Sequence, residues 1–343
     1  MDNNSSTTKK LILCAVMLSL IFLASPYFIA RVLEPKDSNT ITTEPPLITP
    51  ITPHRGERPR SPAGHEPVEH ECETTVTTNL CPFERYIIGV VAAEVPALFH
   101  MEALRAQAVA ARTYAIYSMS TLGMDQFDYA RISEIWQAYL SEPDMRLRWG
   151  NNFDTHFATI HEAVRSTKGE ILVYNNEPIL AVFHAQSGGQ TEYSENVWHS
   201  PRPYLQSVNS DFYTYRPDFE YRHKFTQAEL NTRLNSALPN MLPSNNVPQI
   251  QINSRSAAGY VQSVTIAGQS LDAAALRTAL NLRSTNFTIH HENTNTIFTA
   301  RGHGHGVGMS QIGANALAQR GYSYVEILEH YYRGARVVFG IDN

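Results

Sequence analysis

The chain has 343 residues, room for about two average domains, with 27 lysines and arginines against 32 aspartates and glutamates and a formal net charge of −5. With 43% hydrophobic, 10% aromatic and 17% charged residues it has the balance of a folded protein with a sizeable core, which excludes a wholly disordered or collagen-like chain. The scattered basic residues build no field for neutralising phosphates, so no nucleic-acid partner is expected, and three cysteines are too few for a disulfide scaffold.

Residues 1–10 end in Lys9 and Lys10 and lead into an apolar run from Leu11 to Ala30, broken only by Ser19, Ser25 and Pro26. About 20 such residues cross a bilayer core. The run is longer than the ~7–15 apolar residues of a cleavable signal peptide, and no small-x-small cleavage site follows it. The expected arrangement is a cytoplasmic tail over 1–10 and a single uncleaved anchor over 11–30, with everything beyond Arg31 outside the membrane, because lysines mark the inner side. Residues 31–71 carry Pro35, Pro45, Pro46, Pro50, Pro53, Pro59, Pro62 and Pro67 with almost no apolar periodicity and read as a semi-extended tether. The tether would hold an extracytoplasmic module over 72–343 away from the membrane. Cys72 and Cys81 are nine positions apart in a compartment where a bridge persists; bridged and unpaired thiols are both compatible with that spacing.

Within the module, Ile87, Val90 and Val91 recur at helical spacing until Pro96, predicting a helix over Pro82–Val95, and a second helix is expected over Met101–Thr121. The alanines of the second (103, 106, 108, 110, 111 and 115) suggest a face packed closely against another helix. Ser133–Gly150 shows no clear period. Phe157, Ile160 and Val164 mark a further helix ended by Gly169, and Glu170–Tyr174 and Pro178–His184 read as strands around the turn Asn175-Asn176. Thr226-x-x-Glu229 and Ser323-x-x-Glu326 have the form of capping boxes. Strands are expected at Gln249–Ile252, Tyr260–Ile266, Asn286–His291 and Thr296–Ala300. Segregated helices with antiparallel strand pairs predict an α+β module.

Three stretches carry candidate chemistry. Ile87, Val91 and Glu94 follow an i, i+4, i+7 progression, so the Glu94 carboxyl continues an apolar stripe. Desolvation there would raise its pKa toward what a general acid near neutrality needs; the alternative is a structural ion pair with Arg105 or Arg112. Second, Gly302–Gln311 alternates glycine with His303, His305 and Val307. If extended, it offers a bare backbone face to a flat ligand; if kinked, its glycines serve a connector that needs positive φ. No third ligand stands at a recognisable spacing from the two histidines, so their pattern alone leaves a metal site undetermined. Third, Phe183–Gln190 runs from a strand into a polar glycine turn, with His184 and Ser187 at a strand end of the kind that lines clefts. A serine-hydrolase elbow fails, because Gly308-Met309-Ser310-Gln311 is followed by Ile312. Phe212, Tyr213, Tyr215, Phe219 and Tyr221 are either sugar-stacking or core aromatics.

The blocks Tyr86–Glu94, Glu102–Tyr114, His184–Gly189, Ser284–Phe287 and Gly304–Gln311 stand in an order that resembles the stage II sporulation protein D family of cell-wall enzymes, related to amidase-enhancer proteins. The resemblance covers roughly residues 82–340 and implies a lytic transglycosylase with a substrate groove. Such an enzyme cleaves peptidoglycan glycan strands between N-acetylmuramic acid and N-acetylglucosamine, preferentially after removal of the stem peptides. It implies Glu94 as the catalytic acid/base, with Arg112, His184, Ser187, Tyr204, Asp211, His303, His305 and Gln311 in substrate contact or orientation. Some relatives bind zinc through His and Cys after the Arg-Thr-Tyr segment; residues 115–150 here hold neither, so neither metal nor other cofactor is expected. Where the family commonly has Trp, this chain has His303. The implied setting is the mother-cell septal membrane of a spore former during engulfment, with a cell-wall amidase/endopeptidase and a multipass membrane protein as partners. Two other readings stay open: a hydrolase using Asp211 or Glu195 as a second carboxylate, and a non-enzymatic glycan-binding module that activates an amidase.

Overall fold

The computed structural model describes residues 81–212, 219–237, 249–292 and 295–340. The expected tail, anchor and tether, the partner cysteine Cys72, and Tyr213 and Tyr215 lie outside them. Among the described residues, no helix is long and apolar enough to cross a membrane.

The first core is built around helix α1 (Pro82–Glu94), which opens with proline in its first turn, where no N–H is needed. It stops where Val95 turns extended ahead of Pro96. Every residue from Tyr86 to Glu94 is buried, the mark of a helix enclosed on all sides. It packs on α2 (Met101–Thr121) and α4 (Phe153–Ser166), with α3 (Glu142–Trp149) beside α4. The six alanines of α2 are all buried, as the close approach of helices requires. The aperiodic stretch before α3 forms a 3-10 turn over Tyr129–Ile135 and then an extended segment laid along α1. Gly89 permits that contact: a Cβ there would run into the Tyr139 ring and come within 2.7 Å of the Leu140 carbonyl, while Leu140 N–H donates to Gly89 O at 3.1 Å.

Strand β1 (Glu170–Tyr174) pairs with β2 (Glu177–Pro178) through Asn175 and Asn176, both at positive φ, the geometry of a tight hairpin turn. The continuous strand expected over Pro178–His184 does not form. After β2 the chain bonds irregularly, Leu180 N–H donating to the Tyr204 hydroxyl and Val182 N–H to Leu180 O, before β3 (Phe183–His184). A short α5 (Ser194–Trp198) follows.

A second core holds β4 (Glu220–Thr226), α6 (Gln227–Ala237), β5 (Ile250–Arg255), β6 (Val261–Ile266), β7 (Gln269–Asp272), α7 (Ala273–Leu280), β8 (Phe287–Glu292) and β9 (Asn295–Arg301). Two antiparallel sheets, ordered β4-β9-β8 and β5-β6-β7, bury Phe225, Leu230, Val264, Leu276, Phe287 and Phe298 between themselves and the two helices. Within the expected 72–343 module the apolar side chains thus divide into two clusters. The chain then returns to the first core through β10 (Met309–Ser310), α8 (Gln311–Gln319), α9 (Tyr324–Tyr331) and β11 (Arg336–Phe339), which pairs antiparallel with β1. Both expected capping boxes form, Thr226 with Glu229 and Ser323 with Glu326. The architecture is α+β. Its one parallel pairing among the described strands is β3 with β10, Phe183 opposite Met309 and His184 opposite Ser310.

Candidate active site

Glu94 ends α1 and is 7% exposed. Gln311 Nε2, on the first residue of α8, donates to Glu94 Oε2 at 3.1 Å, and the backbone of Ala138 bonds the same carboxyl. Burial pushes the Glu94 pKa up to about 7, while these two hydrogen bonds oppose the rise. A position at a helix C-terminus disfavours the anion in the same direction as burial. The carboxyl therefore exchanges its proton near neutrality.

The Ala138 contact has a local cause. Tyr86 OH donates to Gln137 Oε1 at 3.1 Å, Gln137 Nε2 donates to the Ala111 carbonyl at 3.2 Å, and Tyr139 stacks on Tyr86 with centroids 5.6 Å apart. Residues 137–140 are thereby pinned across α1 and α2. Tyr114 is a further neighbour: burial, with the Glu94 charge adding to it, raises its phenol to about 12. Nothing in the periodicity of 133–150 marked this segment, since its contribution to Glu94 is a backbone group.

The arginines foreseen beside Glu94 lie elsewhere. Arg105 bonds Glu102 and Ser166. Arg112, 1% exposed, makes a bidentate pair with Glu84, Nε to Oε1 at 2.8 Å and Nη2 to Oε2 at 2.7 Å, and its Nη1 donates to Glu170 O. Glu94 is not a hydrogen-bond partner of Arg112, so the ion pair between them does not form among the described residues; the Arg112 donors tie α1 to α2 and β1. Glu84, in the first turn of α1, matches no motif by its spacing, and the sequence alone does not single it out.

The glycine-histidine run is a kinked connector, not an extended one. Gly302, Gly304, Gly306 and Gly308 all have positive φ, between +72° and +116°. The bare faces of these glycines are filled by protein rather than open to a ligand. A Cβ on Gly302 would lie 2.6 Å from Gln186 O, one on Gly304 2.7 Å from the His184 Cβ, one on Gly306 2.7 Å from the Tyr260 ring, and one on Gly308 would strike Val182 O. The run thus packs against residues 182–188, fastened by His303 N–H to Gln186 O at 2.7 Å and its reciprocal at 2.9 Å, and delivers Gln311 to Glu94.

His305 is held by backbone at both nitrogens, Nε2 at 3.1 Å from Phe183 O and Nδ1 accepting from Val307 N–H at 3.1 Å, which assigns its proton to Nε2. His184 Nδ1 meets Val307 O at 3.1 Å, leaving Nε2 buried without a partner among the described residues. The two rings are 5.6 Å apart and Trp198 lies 5.3 Å from His305. Burial lowers His184 to about 4 and His303 to about 3, and holds His305 well below the usual range, so all three are neutral at pH 7. Among the described residues, no group of three or more His, Cys, Asp or Glu is placed to hold a metal ion.

Ser187 N–H donates to Ser310 Oγ at 3.3 Å, and the same oxygen caps α8 at Gly313. The Tyr204 hydroxyl accepts from Leu180 N–H at 3.1 Å and serves the first core. Asp211 is exposed in a turn, its N–H bonded to Asn209, and Glu195 lies in α5. Two groups escaped the sequence reading. Gln186 is buried with both side-chain polar atoms unpartnered among the described residues, as is Gln311 Oε1, the kind of vacancy a ligand hydroxyl or water satisfies. Glu192 is fully buried, accepts from Tyr193 N–H, Asn196 and Gln262, and makes a short bond with Ser256, linking the loop after β3 to the second core.

A family model described as Stage II sporulation protein matches residues 71–174, and a second, described as a domain of unknown function, matches residues 209–308. The chain is 38% identical to Stage II sporulation protein D of Bacillus subtilis (strain 168) over 75% of this chain and 74% of that one. It is 36% identical to the protein of the same name from Bacillus amyloliquefaciens, with the same coverage. It is also 29% identical to the Amidase enhancer of Bacillus subtilis (strain 168), over 72% of this chain and 39% of the enhancer.

Proposed function

The chain belongs to the stage II sporulation protein D family, and from that premise we propose that it is a lytic transglycosylase of peptidoglycan in which Glu94 is the single acid/base. The observation that carries this reading is the buried Glu94 carboxyl, raised to about 7 and held between Gln311 and Ala138.

Protonated Glu94 donates to the glycosidic oxygen joining N-acetylmuramic acid to N-acetylglucosamine, and the C1–O bond breaks through an oxocarbenium-like state. The carboxylate so formed then takes the proton of the muramoyl C6 hydroxyl, whose oxygen closes on C1. The product is a 1,6-anhydro end, no water is consumed, and Glu94 is protonated again. One carboxyl suffices, whereas ordinary glycosidases use two. The exposed turn position of Asp211 lends the two-carboxylate alternative no support. His184 and His305, neutral and backbone-bonded, brace the junction of β3 with the glycine-histidine run, and Gln311, which follows that run, positions the acid. We further propose anchoring by residues 11–30 in the mother-cell septal membrane, with the module outside, acting beside an amidase/endopeptidase and a multipass engulfment protein.

The similarity to an amidase enhancer favours a second reading, a glycan-binding activator that cuts nothing. Incubating peptide-free glycan with the protein and weighing the products separates the possibilities. Anhydromuramoyl ends support the proposal, ends one water heavier mean hydrolysis, and intact strands with stimulated amidase mean an activator.

A further inference from the structure

The chain has three tryptophans. Trp149 and Trp198 pack against the first core and pair with aromatic neighbours, Trp149 with Phe153 and His156, Trp198 with His305. Trp136 is instead 41% exposed and pairs with no aromatic ring among the described residues. Leaving so much apolar surface in water is unfavourable, and the backbone beneath it is unfavourable too. Trp136 closes the 3-10 turn at φ 60° and ψ 37°, the left-handed region that bulky side chains rarely enter and keep only where surrounding contacts over-determine it. Those contacts lie immediately downstream. Gln137 is fixed between Tyr86 OH and the Ala111 carbonyl, Tyr139 stacks on Tyr86, and Leu140 N–H donates to Gly89 O at 3.1 Å. Ala138, inside this pinned stretch, is the residue whose backbone bonds the Glu94 carboxyl. Two peptide units separate it from Trp136, so their Cα atoms are at most about 7 Å apart. The exposed indole is thereby carried on a rigid turn at the edge of the acid.

Resting on the peptidoglycan reading above, we propose that the indole of Trp136 is a stacking platform for a pyranose ring of the glycan strand, next to the linkage that Glu94 protonates. The face of an aromatic ring is electron-rich, and the C–H groups on the face of a pyranose meet it with slight positive charge. N-acetylglucosamine and N-acetylmuramic acid both present such a face, so the platform grips a hexosamine strand without reading which sugar it holds. Its part in the reaction is to keep a neighbouring ring in register with the acid.

Trp136→Asn separates stacking from structure, because asparagine enters the left-handed region readily and the substitution removes the ring. The test places it in full-length Glu94→Gln protein, which leaves bound strands intact. The melting temperature should stay equal or rise, while calorimetric affinity for peptide-free glycan strands, and for a chito-oligosaccharide of equal length, should fall roughly three- to tenfold, the worth of one stacked ring. Trp136→Phe should retain part of that affinity. Unchanged affinity in Trp136→Asn, or a loss matched by a lower melting temperature, overturns the platform. Should the variant not fold, acrylamide quenching of tryptophan fluorescence in the Glu94→Gln protein decides: saturating strands should shield the exposed indole, and undiminished quenching overturns the proposal. Strand binding that survives every Trp136 variant sinks the platform alone, whereas a Glu94→Gln protein that binds no strand at all removes the peptidoglycan reading with it.

Discussion

Glu94→Gln should abolish cleavage and, above pH 7, make the protein more stable. The native state holds the Glu94 proton up to about pH 7, against 4.5 for an exposed glutamate. Below about pH 4.5 the group is neutral in both folded and unfolded chains and costs nothing. Between 4.5 and 7 the unfolded chain releases the proton and the folded one retains it, so wild-type stability falls as pH rises, and above 7 the full cost is present. A gap of about 2.5 in pKa corresponds to about 3 kcal/mol. Glutamine has the same shape, still accepts from Gln311, and has no proton to lose. The stability difference between variant and wild type should therefore grow by about 3 kcal/mol from pH ~4.5 to pH ~8, roughly 4–6 °C in melting temperature for a chain of this size. Paired thermal and urea melts at the two ends and the middle of that range measure it. A difference that stays constant throughout would mean that Glu94 is not desolvated, and the argument for it as a neutral-pH acid would go with it.

Removing the Gln311 donor by Gln311→Leu should raise the Glu94 pKa further, because that hydrogen bond opposes the rise; the alkaline limb of the pH–rate profile should move upward, and a downward shift would contradict the assignment. Arg112→Met should lower stability by about 3–5 kcal/mol by leaving Glu84 buried and unpaired, with much of the loss recovered in the double variant Glu84→Leu, Arg112→Met. Denaturant titration reads both, and full stability with lost cleavage in the single variant would return Arg112 to the active site. Gly308→Ala should destabilise by roughly 2 kcal/mol or more, since its Cβ meets Val182 O at φ +72°. Gly268→Ala, with φ +81° and open space around it, should show only the backbone cost of about 1 kcal/mol; thermal melts of the two variants compare them directly.

Helices were legible where periodicity and punctuation agreed. Pro82, Pro96 and the alanine face bounded α1 and α2 to within a residue, and the Thr226 and Ser323 capping boxes marked the starts of α6 and α9. Glu94 stood out because a carboxylate on an apolar stripe is a local contradiction that any sequence reading registers. The segment after β2 departs from its pattern for the opposite reason: Ile179–Val182 is apolar enough for a strand, but only Ile179 N–H still reaches β1, at Leu172 O, while the Leu180 N–H goes to the Tyr204 hydroxyl and the Val182 N–H to Leu180 O, which only tertiary placement determines. The density of glycine and histidine in the run favoured a ligand-facing extended segment over a kinked connector; the carbonyl of Val182 and the ring of Tyr260, both distant in sequence, select the kinked one. Arg112 shares its buried character with a catalytic arginine, and only the position of Glu84 one helix away identifies it as an internal tie.

Glu94 and the Gln311 that fixes it are 217 residues apart in the chain, and the intervening stretch includes the whole second core. A ribosome must release almost the entire polypeptide before that bond can form, and closing so distant a pair is slow. Until then the carboxyl lacks the side-chain donor that holds it, so under the proposed mechanism a half-synthesised or truncated copy would carry an unpositioned acid, and cutting would arrive with the last segment to close.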